Sequence, residues 1–302
     1  MTLNPRNLTE DNADEIKEYL EYSDKYMSLA KFQTLFLWRD FTGLTYDIKD
    51  GFLFMFECKF ENTALMPYGS GDLEKAIHTL EDYCSNVAES PRLYCVGDDQ
   101  KKALQDIFPG KYHYKDMHGF SEYVYLQEKL ANLTGKKYSK KRNHINKFDR
   151  EFGDSYEYVG IGREDSDEIE RVMDVWCEKQ DCGPAETTAH EKKAILELLS
   201  GKAGLEYRGG AIRINGRIEA FALGSKIADD MAVVLFEKAD TEFAGIYPKL
   251  NQLYSSNEWG DVMYINRQED MDKPGLRKSK RSYYPEFMVR NHAVWKKGTR
   301  HI

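Results

Sequence analysis

The sequence predicts an α/β protein made of two tandem modules, each a mixed sheet flanked by helices. Three observations carry this. The hydrophobic period switches back and forth between helical and strand spacing along the whole chain. One order of elements (helix, helix, three strands, helix, strand, helix, strand) is read twice. The 302 residues are also enough for two domains of roughly 150 residues each. The expected boundary lies near residue 130, with 1–130 as the first module and 131–302 as a linking basic helix plus the second.

In the first module, Ile16, Tyr19 and Leu20 keep helical spacing, as do Leu29, Phe32 and Phe36 before Trp38. The period then shortens. Leu44–Ile48, Phe52–Cys58 and Thr63–Pro67 read as strands, the first two joined at Asp50-Gly51, a hairpin signal. After Asp72 the apolar residues Leu73, Ile77, Leu80, Cys84 and Val87 specify a helix. Arg92–Val96 reads as a strand, Asp98 opens a helix ending near Phe108, and Ser121–Leu126 is the last strand.

The second module repeats the order. Asp165 and Glu168 form a capping box ahead of Ile169, Val172, Met173 and Trp176. Thr188 and Glu191 do the same for Ala194, Ile195, Leu198 and Leu199. Leu205–Ile214 and Arg217–Ile227 make a hairpin about Asn215-Gly216, and Met231–Glu237 is an almost wholly apolar strand. A helix over Ile246–Glu258, a strand at Val262–Ile265, a short helix from Leu276 and a final strand over Glu286–Val294 complete it.

Composition narrows the function classes. The chain is 41% hydrophobic and 31% charged with net charge −8, which gives no global drive towards nucleic acid or an anionic membrane. No apolar run reaches the roughly 18 residues a spanning helix needs, and Met1-Thr-Leu-Asn-Pro-Arg6 lacks a signal peptide's apolar core. The five cysteines (Cys58, Cys84, Cys95, Cys177, Cys182) show no C-x-x-C spacing and read as reduced thiols, which implies a cytoplasmic location.

Against that acidic background, Gly135–Phe148 (GKKYSKKRNHINKF) holds six basic residues and no acid. Tyr138, Ile145, Phe148 and Phe152 share one helical face, so residues 136–152 should form a docked amphipathic helix. Its opposite face would present Lys136, Lys137, Lys140, Lys141, Arg142 and Lys147 to solvent, either as an ordinary solvated face or as a grip for a polyanion or phosphate.

Several chemistries lack their motifs. The seven histidines show neither H-E-x-x-H nor Cys/His zinc spacing, so no metal is expected. The nucleophile elbow, the Walker loop and the dinucleotide fingerprint are all missing. What remains is chemistry by positioning and proton transfer, which fits acyl transfer. The polar end of the apolar strand, Glu237-Lys238-Ala239-Asp240, and the cluster Asn266-Arg267-Gln268-Glu269-Asp270 would meet if their strands ran parallel side by side. Glu237, Glu269 and Asp270 are candidates for base or ammonium binding, Tyr283 for returning a proton. Arg267, Arg277 and Lys280 are candidates for an anionic group, with Lys238 and Asn266 as further substrate contacts. A strand-end ion pair or a loop salt bridge accounts for the same residues.

The basic run, Phe236-Glu237-Lys238-Ala239-Asp240, and Tyr264–Asp270 followed by Gly275-Leu-Arg-Lys-Ser-Lys280 resemble the carboxyl-terminal domain of phosphatidylglycerol lysyltransferases. The resemblance spans most of the chain and is most specific from Leu133 to Pro285. It implies two tandem modules of the Gcn5-related N-acetyltransferase type and transfer of an amino acid from aminoacyl-tRNA to a lipid hydroxyl, or, in related ligases, to a peptide amine. The membrane-spanning region of the lipid-modifying enzymes has no counterpart here. Acetyl-CoA users of this fold carry [QR]-x-x-G-x-[GA] between the third strand and the next helix. Lys238–Ile246 lacks it, and the literal match at residues 180–185 follows a helix instead.

The expectation is thus an acyl or aminoacyl transferase with Glu237, Asp270 and Tyr283 as catalytic candidates. No cofactor is held tightly; aminoacyl-tRNA, or alternatively acyl-CoA, serves as co-substrate. The acceptor is a small molecule, a peptide or a lipid headgroup. The rival from another class is a non-catalytic protein that uses the same fold to bind an anionic ligand.

Overall fold

A computed structural model describes residues 3–60, 63–87, 91–179 and 185–298. The chain forms two compact units. The first comprises Met1–Glu122, Glu269–Lys273 and Val289–Ile302, the second Tyr123–Gln268 and Pro274–Met288. A single boundary near residue 130 therefore does not describe the partition.

The first unit contains β1 (Arg6–Asn7), α1 (Ala13–Leu20), α2 (Phe32–Thr42), β2 (Leu44–Lys49), β3 (Phe52–Glu57), β4 (Thr63–Leu65), β5 (Tyr68–Gly69), α3 (Leu73–Val87), β6 (Arg92–Val96), α4 (Asp98–Ile107) and β7 (Tyr112–Asp116). Then come β8 (Glu122–Leu126), α5 (Gln127–Asn132), α6 (Ser139–Phe152), β9 (Tyr156–Gly160), α7 (Ser166–Lys179) and α8 (Ala185–Leu199). The hairpin β10 (Arg208–Ile214) and β11 (Arg217–Ala228) leads to β12 (Met231–Ala239), α9 (Ile246–Glu258), β13 (Tyr264–Asn266), α10 (Pro274–Arg281), β14 (Phe287–Val289) and β15 (His292–Lys296). One sheet runs β1-β2-β3-β4-β6-β15-β7, with β5 on β3; the other runs β14-β8-β13-β12-β11-β10-β9. Both sheets are mixed and flanked by helices.

The hairpins at Asp50-Gly51 (φ +49° and +80°) and Asn215-Gly216 (φ +51° and +82°) have both central residues left-handed, which matches the twist of the strands they join. The first unit's core is built on Ile16, Phe36, Tyr46, Phe54 and Tyr68, the second's on Tyr125, Tyr138, Phe148, Phe221, Tyr254 and Trp259.

Three expectations need correction. β7 and β9 have no counterpart among the expected strands. Both are sheet-edge strands that bury one residue and none respectively, and each offers only two alternating tyrosines (Tyr112 and Tyr114, Tyr156 and Tyr158), too short a pattern to mark a strand. The final strand is two strands in different sheets, because the chain turns at Arg290-Asn291 between β14 and β15. The reduced state expected of all five cysteines fails at Cys177, which is disulfide-bonded; proximity in the fold, not C-x-x-C spacing, decides such a bond. Cys58, Cys84 and Cys95 are free thiols, and Cys182 lies outside the described residues, as does most of the 180–185 motif match.

Candidate active site in the second unit

The site begins with a divergence of two parallel strands. β12 and β13 pair only at Met231–Tyr264, Ala232–Ile265 and Val233–Asn266. Beyond Val233, β12 stays with β11 as far as Ala239, while the Arg267 N–H turns away and donates to the Tyr123 carbonyl (2.9 Å). At Gln268 the backbone becomes left-handed (φ +56°), and the Asn266 side chain accepts the Gln268 N–H (2.8 Å). The strands thus splay at their carboxyl ends, which among the described residues leaves β12's edge towards β13 without a strand partner beyond Val233.

Arg267 and Glu237 bridge that opening. Arg267 Nη2 donates to both Glu237 oxygens (3.0 and 2.8 Å), and the two side chains are only 11% and 15% exposed. Burial opposes the guanidinium's charge, but Glu237 and the Tyr283 and Tyr125 phenols hold its pKa above the ordinary value. Tyr283, 3% exposed, lies with its ring centroid 5.0 Å from the guanidinium carbon. Burial raises its phenol to about 12, opposed by Arg267 and reinforced by Glu237.

Two buried tyrosines set this geometry. Tyr125 donates to the Lys280 carbonyl (2.8 Å) and Tyr138 to the Tyr283 carbonyl (3.1 Å). Lys280 Nζ in turn donates to the Arg267 carbonyl (2.6 Å). These bonds tie the end of α10 to the loop after β13. Sequence reading misses Tyr125 altogether and uses Tyr138 only as packing; an aromatic on a buried face carries no sign that its hydroxyl fixes a loop.

α6 closes the site. Ile145 and Phe148 are buried as the apolar stripe requires, and Lys249 of α9 pairs with Asp149 (2.9 Å). Gly245, at φ +96°, lets α9 start hard against this helix: a Cβ there would sit 2.5 Å from the His144 carbonyl oxygen. So fixed, α6 places Lys141 Nζ 3.9 Å from the Tyr283 ring centroid. Burial lowers the Lys141 amine to about 8, with Arg267 adding to the fall and Glu237 opposing it.

The predicted site residues therefore separate. Glu237, Arg267, Tyr283 and Lys280 come together, joined by Lys141, which the sequence places only on a basic face. Lys238 points to the other side of β12, where it pairs with Glu191 (2.9 Å) over the Trp176 ring (3.7 Å); neighbours on a strand face opposite ways. Asn266 is fully buried in its turn, and Arg277 lies half-buried on α10. Glu269 and Asp270 belong to the first unit, where Asp270 is fully buried and accepts the Asp272 N–H (2.9 Å).

The basic face is smaller than expected. Lys136, Lys137, Lys140 and Lys147 are exposed. Arg142 turns back to donate to the Leu133 carbonyl and to the Gly135 carbonyl (2.7 Å). Lys137 lies over the exposed Tyr284 ring (4.9 Å). Among the described residues no three His, Cys, Asp or Glu side chains gather where they could hold a metal, and no helix is long and apolar enough to cross a membrane.

Known proteins resemble the chain to different degrees. A conserved protein of unknown function from Bacteroides thetaiotaomicron has a similar structure, with TM-score 0.88 and 30% identity over 98% of this chain and 100% of that one. The L-PGS of Bacillus licheniformis shares the fold at TM-score 0.64 and 14% identity, over 95% of this chain and 92% of that one. An uncharacterized Mycoplasmoides gallisepticum protein is 27% identical over 194 residues, 61% of this chain; the match spans only 59% of that relative's length. The family described as phosphatidylglycerol lysyltransferase, C-terminal, matches residues 20–292, and the chain belongs to it.

Proposed function

We propose that this protein transfers an acyl group, specifically an amino acid carried by tRNA, to a hydroxyl or amine acceptor, and that it acts in the cytoplasm. The observation that carries the reading is the strand splay bridged by the buried Arg267–Glu237 pair, with Tyr283 and Lys141 over it. Acyl transfer needs fixed positive charge where the carbonyl oxygen becomes an oxyanion. Arg267 offers it from a half-enclosed setting in which such charge is strong.

Two features support tRNA over CoA as donor. Lys136, Lys137, Lys140 and Lys147 stand exposed on the stretch that carries Lys141, where they could neutralise phosphates. The segment Lys238–Ile246 lacks the glycine pattern by which backbone amides would cradle a pyrophosphate. The acceptor, a small molecule, peptide or lipid headgroup, would enter the same splay.

The test is to incubate the purified protein with a panel of aminoacyl-tRNAs and acyl-CoAs and to follow loss of each donor. Consumption of an aminoacyl-tRNA supports the proposal. Consumption of an acyl-CoA alone replaces the donor, and no consumption alongside retained tRNA binding points to a non-catalytic binder. Reversing Lys136, Lys137 and Lys140 to Glu should weaken tRNA retention, and the log–log salt slope should shrink by roughly 0.7–0.9 for each phosphate no longer neutralised.

A further inference from the structure

Resting on that reading, we propose that Lys141 is the catalytic base: its amine takes the proton from the attacking acceptor group and hands it to the departing oxygen of the donor. The other groups at the splay are committed. Both Glu237 oxygens accept from Arg267. The Lys280 ammonium donates to the Arg267 carbonyl (2.6 Å). The Tyr283 phenol is raised to about 12 and so stays protonated at neutral pH. Arg267 is held charged by Glu237.

Lys141 differs from all of them. Among the described residues it has no hydrogen bond and no carboxylate partner, its contact being the Tyr283 ring face at 3.9 Å. It is half-buried, while its helix neighbours Lys140 and Lys147 are exposed. The charged and titratable groups about it are Arg267 after β13, Glu237 on β12 and Tyr283 after α10. Burial in a setting where Glu237 is already taken by Arg267 favours the neutral amine, and the drop to about 8 has that origin. A lysine so placed exchanges protons near neutral pH, as an arginine cannot.

The step balances. The acceptor's N–H or O–H proton moves to the neutral amine as its nitrogen or oxygen bonds to the acyl carbon. The acyl carbon–oxygen ester bond to the donor then breaks, and the Lys141 ammonium protonates the leaving oxygen. No proton is gained or lost overall.

The experiment uses the full chain and two measurements. The first is 13C NMR titration of the reductively methylated protein, with the Lys141 signal assigned by its loss in Lys141→Arg. A midpoint near 8 supports the proposal, and one near the ordinary 10.5 overturns it whatever the turnover. The second is the pH profile of kcat/KM with whichever donor the parent consumes. Lys141→Arg keeps the charge but not the base, so it should lose about 10²–10⁴-fold, mainly in kcat, along with the limb near pH 8. An arginine variant within about threefold of the parent, with the same profile, overturns the base role and leaves transfer standing. A parent that consumes no donor overturns the transfer reading, and the base role with it.

Discussion

Glu237→Leu should be among the most damaging single changes in the second unit for stability as well as activity. The substitution leaves the Arg267 guanidinium in place at 11% exposure without the carboxylate that receives two of its hydrogen bonds. Had the pair been exposed, its loss would cost about 0–1 kcal/mol; at this burial, stranding one charge costs about 3–5 kcal/mol. With roughly 2–4 °C of melting temperature per kcal/mol for a unit of this size, the transition should fall by about 6–20 °C. Scanning calorimetry at pH 7 measures it. The companion double variant, Arg267→Met with Glu237→Leu, removes both charges and should recover most of the loss, because apolar replacement of a buried pair is often neutral or stabilising. Two results would refute the reasoning. A Glu237→Leu variant melting within a degree of the parent would mean the pair is solvated. A double variant as unstable as Glu237→Leu would place the cost in packing and not in the stranded charge.

Three further outcomes follow from the structure. Lys141 has a folded pKa of about 8 against an ordinary 10.5, so it penalises folding fully below about 8 and less as pH climbs to 10.5; urea titrations should show Lys141→Met stabilised at pH 7 and matched to the parent above pH 10.5. Glu57, raised by burial from 4.5 to about 7, has the opposite sign: its penalty is absent below 4.5 and complete above 7, so Glu57→Gln should stabilise at pH 8 and change nothing at pH 4. Gly245→Ala must accept both φ +96° and a Cβ 2.5 Å from the His144 carbonyl oxygen, which should cost about 1–3 kcal/mol and slow donor consumption by displacing α6.

The strongly periodic parts of the chain are legible from sequence, as β12 and α9 show: an almost wholly apolar run and a sustained helical stripe leave little choice of structure. The parallel neighbourhood of β12 and β13 is legible too. The contents of the site are harder to read. Glu237 and Lys238 are adjacent in sequence, so only the strand's pleat separates one into the splay and the other into the Glu191–Trp176 contact. Glu269 and Asp270 closely follow Arg267, but the left-handed turn at Gln268 carries the chain into another unit, and nothing in the residue types announces it. Lys141 looks like its basic neighbours because a helical wheel shows which face is apolar. It does not show which flank of that face a tyrosine from elsewhere in the chain will cover.

The position of β15 bears on how the protein is made. In the first sheet β15 lies between β6 and β7, pairing with both: His292 with Val96 on one side, and His292–Lys296 with Tyr112–Asp116 on the other. The fully buried His292 ring also reaches Asp98 and Asp116, each at 2.7 Å. During synthesis β6 and β7 leave the ribosome early, and the strand that joins them emerges only after the whole second unit has been translated. Until then two sheet edges stand open, and open edges are where nascent chains pair wrongly. The second unit needs nothing beyond Met288, whereas the first waits for β15. The part of the protein translated first is therefore finished last, and it is the part most dependent on protection while the ribosome is still at work.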